Sequence, residues 1–131
     1  MAAKKIESRS NFGHIDHYPL AANTTIEHGN IVGVNASGYL SATPTLILGV
    51  AMETVSAVSA GEKKCRVGMG LYGLTNGTGA DLLGIGDVGD TVYFISGNTV
   101  GKTDGGGTRL SVGKLVNVDA GGATVTVKVG I

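Results

Sequence analysis

The clearest pattern in the chain lies at its end, where Ala123, Val125, Val127 and Val129 alternate with Thr124, Thr126 and Lys128. A period of two places the apolar set on one face of a β-strand and the polar set on the other. Similar alternation, or short apolar runs bounded by Gly, Asn, Asp and Ser, predicts further strands over 30–34, 39–42, 46–54, 63–69, 91–96 and 110–118. Ser37-Gly38 and Ser96-Gly97-Asn98 suit tight hairpin turns, because Gly and Asn tolerate positive φ. No segment sustains a helical period. The expected fold is therefore all-β, a small single-domain β-sandwich or barrel over residues 29–131.

The first 28 residues break this pattern. They hold all three histidines, one of the two prolines and both charge signs, with little alternation. We expect an extended N-terminal arm over 1–28, in which Ile6, Phe12, Ile15, Tyr18 and Leu20 are apolar residues outside the core pattern. Such a segment can order on a partner and add a strand to a sheet edge. Its position makes Lys4, Lys5, Ile6, Arg9, Phe12, His14, Ile15 and Tyr18 the expected contacts with a partner or a neighbouring copy.

The remainder carries a weak internal echo. Gly29-Asn30-Ile31-Val32, Ser37-Gly38, Leu48-Gly49-Val50 and Val67-Gly68 recur in order as Gly89-Asp90-Thr91-Val92, Ser96-Gly97, Val112-Gly113-Lys114 and Val129-Gly130. Read as a duplication of 29–70 in 89–131, it predicts two similar units packed face to face and joined by 71–88.

Composition narrows the possibilities. Gly fills 23 of 131 positions, well above the usual share of about 7%. A hydrophobic content of 42% argues against whole-chain disorder, and the glycines lack the three-residue period of collagen. Gly within strands costs roughly 0.5 to 1 kcal/mol each relative to Ala, so a lightly built module of this kind gains from packing against neighbours. Ten basic and ten acidic residues cancel, which leaves no overall field to attract nucleic acid or anionic lipid. The apolar run at 46–52 is far below the roughly 20 residues of a membrane-spanning helix, and residues 1–10 lack the apolar core of a secretion signal. The single cysteine, Cys65, shares the apolar face of its predicted strand with Val67 and Met69 and reads as a buried small hydrophobe.

Motifs that could carry chemistry fail on context. Gly68-Met69-Gly70-Leu71-Tyr72-Gly73 and Gly84-Ile85-Gly86-Asp87-Val88-Gly89 both match G-x-G-x-x-G, but neither opens a helix that would aim its amides at a phosphate. Gly101-Lys102-Thr103 resembles the end of a P-loop, yet Ser96 stands where the first Gly is required. His14, Asp16, His17 and His28 are the one cluster of metal-ligand types, without a helical period to bring His14 and His17 to one ion. Asp81, Asp87, Asp90, Asp104 and Asp119 fall in turns and are expected to bond local backbone. There is no nucleophile elbow and no His after position 28 to serve as a base. We expect no enzyme activity, cofactor, metal or small-molecule substrate.

The chain resembles the capsid decoration, or cement, proteins of tailed bacteriophages. The resemblance spans nearly the whole length. It lies in the polar arm, Gly29-Asn30-Ile31-Val32, Leu48-Gly49-Val50-Ala51, Ser59-Ala60-Gly61-Glu62 and Val67-Gly68-Met69-Gly70-Leu71-Tyr72-Gly73-Leu74. Gly86-Asp87-Val88-Gly89-Asp90-Thr91-Val92-Tyr93, Val112-Gly113-Lys114-Leu115 and the closing Thr124–Val129 strand continue it. It implies a small β-barrel or sandwich that sits as a homotrimer on the outer surface of the virion's capsid. There its arm would touch the major capsid protein and brace the shell against internal DNA pressure. The competing expectation is a β-rich receptor-binding or fibre module for a host-surface ligand. Such modules usually display aromatic side chains, and this chain has four Tyr, two Phe and no Trp.

Overall fold

A computed structural model describes residues 13–130. These form β1 (Gly13–Pro19), β2 (Thr24–Ile26), β3 (Ile31–Val34), β4 (Leu46–Ala51), β5 (Val55–Ala57) and β6 (Lys64–Asn76). After two single 3-10 turns, Gly79–Asp81 and Ile85–Asp87, follow β7 (Thr91–Ser96), β8 (Thr99–Gly101), β9 (Ser111–Val118) and β10 (Thr124–Val129). The fold is all-β, as the alternation predicts.

Five strands close into a mixed barrel. β6 pairs antiparallel with β10, β10 with β9, β9 with β7 and β7 with β8, and β8 returns to β6 in parallel through Thr75–Thr99 and Asn76–Val100. Closure leaves no free edge within this set. The interior holds Leu74, Val92, Val100, Val112, Leu115, Val125, Val127 and Val129, with Leu83 plugging in from the loop after β6. The alternation of β10 places Val125, Val127 and Val129 inside, all within 2% exposure.

The N-terminal half of β6 extends beyond the barrel and carries β4 on one edge and β1 on the other, with β3 outside β4. β2 and β5 form a separate two-stranded ribbon. A second core fills this half, from Leu20, Ile26, Val32, Leu40, Leu48, Ala51, Ala57, Cys65 and Val67. β4 lies between the two cores: Ile47 and Val50 face the barrel cluster while Leu48 and Ala51 face the other. A strand buried on both faces has no reason to alternate. That explains the unbroken apolar run at 46–52.

The repeated glycines have a common structural reason. Val32 pairs with Gly49 and the register then shifts, and Val92 pairs with Gly113 with the same shift following. A Cβ at Gly49 would collide with the Gly68 carbonyl, and one at Gly113 with the Lys128 carbonyl, so each site needs the close backbone approach that Gly permits. The antiparallel runs β3–β4–β6 and β7–β9–β10 therefore share one irregularity where the sequence echoes itself. They are not two separate units facing each other. β6 belongs to both, and residues 71–76 expected in a linker are its second half.

Residues 13–28 also depart from expectation. β1 is laid along β6 from Gly13–Gly70 to Pro19–Lys64, and β2 pairs with β5. Leu20, expected outside the core, is fully buried: its N–H continues the β1–β6 ladder to Lys63 O at 3.0 Å, and its side chain belongs to the second core with Leu40 and Cys65. The strand expected at 39–42 is reduced to isolated bridges from Leu40 to Leu20 and Val34.

Candidate interaction surface

The expected contact residues divide. Lys4, Lys5, Ile6, Arg9 and Phe12 lie outside the described residues. His14, Ile15 and Tyr18 lie on β1, where the period of two separates their roles. Tyr18 is half-buried opposite Cys65, and burial, with the nearby Asp16 carboxylate, pushes its phenol pKa up. His14 and Asp16 share one exposed face, with Nε2 and Oδ2 3.9 Å apart. Ile15 projects to the opposite side and is 52% exposed. His17 lies three positions from His14 and therefore points away from it, so the strand does not aim the two imidazoles at one point. Among the described residues, no group of three or more His, Cys, Asp or Glu side chains is gathered as a metal site.

A second exposed feature was not anticipated. Residues 77–90 cross one end of the barrel and present Leu82, Ile85 and Val88 to solvent. Gly89 N–H donates to Leu115 O at 2.8 Å, which brings this loop beside exposed Val116 of β9. The loop is held from beneath by Asn76, which is 6% exposed. Asn76 Oδ1 accepts Leu83 N–H at 3.0 Å, while Nδ2 donates to Leu83 O at 3.0 Å and to Gly122 O at 2.8 Å. A buried amide with all of these partners fixes the loop to the β6 terminus and the β9–β10 turn.

Asp81 does more than the expected turn-forming. Its Oδ1 accepts Arg109 Nη1 at 2.7 Å, Thr103 Oγ1 at 2.7 Å and Thr103 N–H at 3.2 Å. The Arg109 hydrogen bond, then that of Thr103, holds its carboxyl down to about 2. This ties the β8–β9 connection back onto the 3-10 turn Gly79–Asp81. Asp87 and Asp104 do serve local backbone, accepting Gly84 N–H at 2.8 Å and Gly106 N–H at 3.1 Å. Asp87 also lies 3.5 Å from Lys102 Nζ. Sequence spacing could not separate these cases, because the Asp81 partners come from 22 and 28 residues away.

Neither glycine motif opens an α-helix. Gly68–Gly73 runs within β6, and Gly84–Gly89 is a 3-10 turn leading directly into β7. Cys65 is fully buried with Val67, and burial pushes its thiol pKa up. A shallow cleft of about 160 Å³ lies between Ile31–Gly33, Ser41–Pro44 and the β7–β8 turn, with Phe94 in its wall. The surface is thus equipped for contact along the β1 edge and over the Leu82–Val88 loop. Comparisons with protein-family models, with curated proteins and with solved structures found no match.

Proposed function

We propose that this chain is a structural decoration protein that binds the outer surface of an assembled phage capsid as a homotrimer and stabilises the shell against internal DNA pressure. The resemblance described above names the class. The observation that carries the reading furthest is the way the N-terminal segment enters the fold. Residues 1–12 precede β1, which is anchored on one side by β6 while its other side, held at Pro19 by Leu40 N–H, has no strand partner from Gly13 to His17 among the described residues. An open strand edge supplies directional backbone hydrogen bonds to a partner.

In this reading the barrel is a rigid body, and Lys4, Lys5, Ile6, Arg9 and Phe12 supply the contacts with the major capsid protein. The exposed Leu82, Ile85 and Val88 add an apolar surface of the kind that marks protein contacts. The role is binding, with no catalytic step, cofactor, nucleic acid or membrane.

The test uses purified protein and expanded, undecorated shells. Saturating binding and a raised shell melting temperature are expected, and removal of residues 1–12, which leaves every described strand in place, weakens both. Absence of binding by the full chain, with binding to a host-cell surface instead, would establish the receptor-binding alternative.

A further inference from the structure

The unpaired side of β1 has a defined hydrogen-bonding register. Leu20 N–H donates to Lys63 O on the β6 side, and Leu40 N–H donates to Pro19 O from the other side. His17 N–H is turned away from β6 and is occupied by its neighbour Asp16, with Oδ1 at 2.8 Å. Arg66, opposite His17, likewise points its N–H away from β1, to Glu53 Oε2 at 3.0 Å. Even-numbered residues of β1 therefore bond β6, while Gly13, Ile15 and His17 direct their backbone groups outward.

We propose that this edge pairs antiparallel with the same edge of a second copy, in the register centred on Ile15. In that register Ile15 faces the second copy's Ile15 as a hydrogen-bonded pair, and Gly13 pairs with His17 on either side. All three are the outward-directed positions, as an antiparallel ladder requires, and His17 N–H exchanges its Asp16 Oδ1 acceptor for Gly13 O of the second copy. His14 then stands opposite Asp16 of the other copy, twice by symmetry. Within one chain these two side chains already share a face and lie 3.9 Å apart. The edge is thus self-complementary, imidazole N–H donor opposite carboxylate acceptor, and the exposed Ile15 gains an apolar partner on the opposite face. A slip of one residue would set inward-directed backbone groups against the new strand, so no adjacent register works. The contact is isologous and closes on a two-fold axis. It goes beyond the shell-binding reading and draws on the same β1 edge, so a copy paired in this way does not offer that edge to a shell.

Analytical ultracentrifugation of the full chain over a concentration series tests this, since the mass of the basal species, one chain or three, doubles as concentration rises. Asp16→Lys sets Lys opposite His14 and is expected to weaken the doubling about tenfold over the two symmetric pairs. The double variant His14→Glu/Asp16→Lys restores opposite charges in the same register and returns association to within about twofold of the wild type. Ile15→Pro removes an N–H that β6 does not use, so the fold is retained and the doubling is lost. A wild-type chain of constant mass, an Ile15→Pro variant that doubles normally, or single and double charge variants that behave alike would each overturn the proposal. Shell binding by the wild-type full chain, measured in parallel, reports separately on the decoration role.

Discussion

A methyl group at position 113 would meet the carbonyl of Lys128, whereas one at position 86 would meet nothing within 4 Å and the backbone there has ordinary φ. Gly113→Ala is therefore expected to destabilise the barrel by about 1 to 3 kcal/mol through forced strand separation. Gly86→Ala is expected to be neutral or stabilising by about 0.5 kcal/mol, through the reduced freedom of the unfolded chain. Urea denaturation of the two variants side by side checks this contrast. Asp81 gives a second prediction. Its folded pKa, about 2, lies below its ordinary value of 3.8, so its stabilising contribution is complete above that ordinary value and is lost as pH falls from there toward 2. Asp81→Asn should lower the melting temperature at neutral pH and flatten the acid limb in that window. Thermal melts between pH 6 and pH 2 read both effects, and an unchanged acid limb would contradict the assignment.

Elements in this fold depend on single connecting residues as much as on ladders. Asn76 ends β6, holds Leu83 by both its N–H and its carbonyl, and reaches Gly122 in the β9–β10 turn. Asn76→Ala leaves those groups buried without partners and is expected to cost about 3 kcal/mol. Hydrogen exchange should then show residues 77–90 opening ahead of the barrel strands. The elements legible in the sequence were those with one buried face: β10, β9 and β7 follow from alternation, and the start of β6 from Cys65 and Val67. β1 was not legible, because its side chains are mostly exposed and its pairing is made by backbone alone. β2, β5 and β8 are three residues each, too short to show a period. The second half of β6 was hidden by Gly70 and Gly73, which supply ladder hydrogen bonds without an apolar side chain. The partners of Asp81 and Asn76 come from the closure of the barrel, which no local spacing encodes.

At the scale of the whole molecule, one continuous strand, β6, joins a closed barrel to a second core built from β1 to β5. Two separate hydrophobic clusters on a shared strand explain how a chain with 23 glycines forms a defined body. Many of those glycines sit where backbones approach or turns close, so they contribute to packing rather than only weakening strands. Around that body the exposed features are an open strand edge and an apolar loop, which suit contact with other proteins. We propose that this body adds to the outside of a capsid. Calorimetry of expanded, undecorated shells with and without saturating protein measures this. A higher melting temperature for the shell is expected, reduced when residues 1–12 are removed. A shell transition unmoved by saturating full-length protein would contradict it.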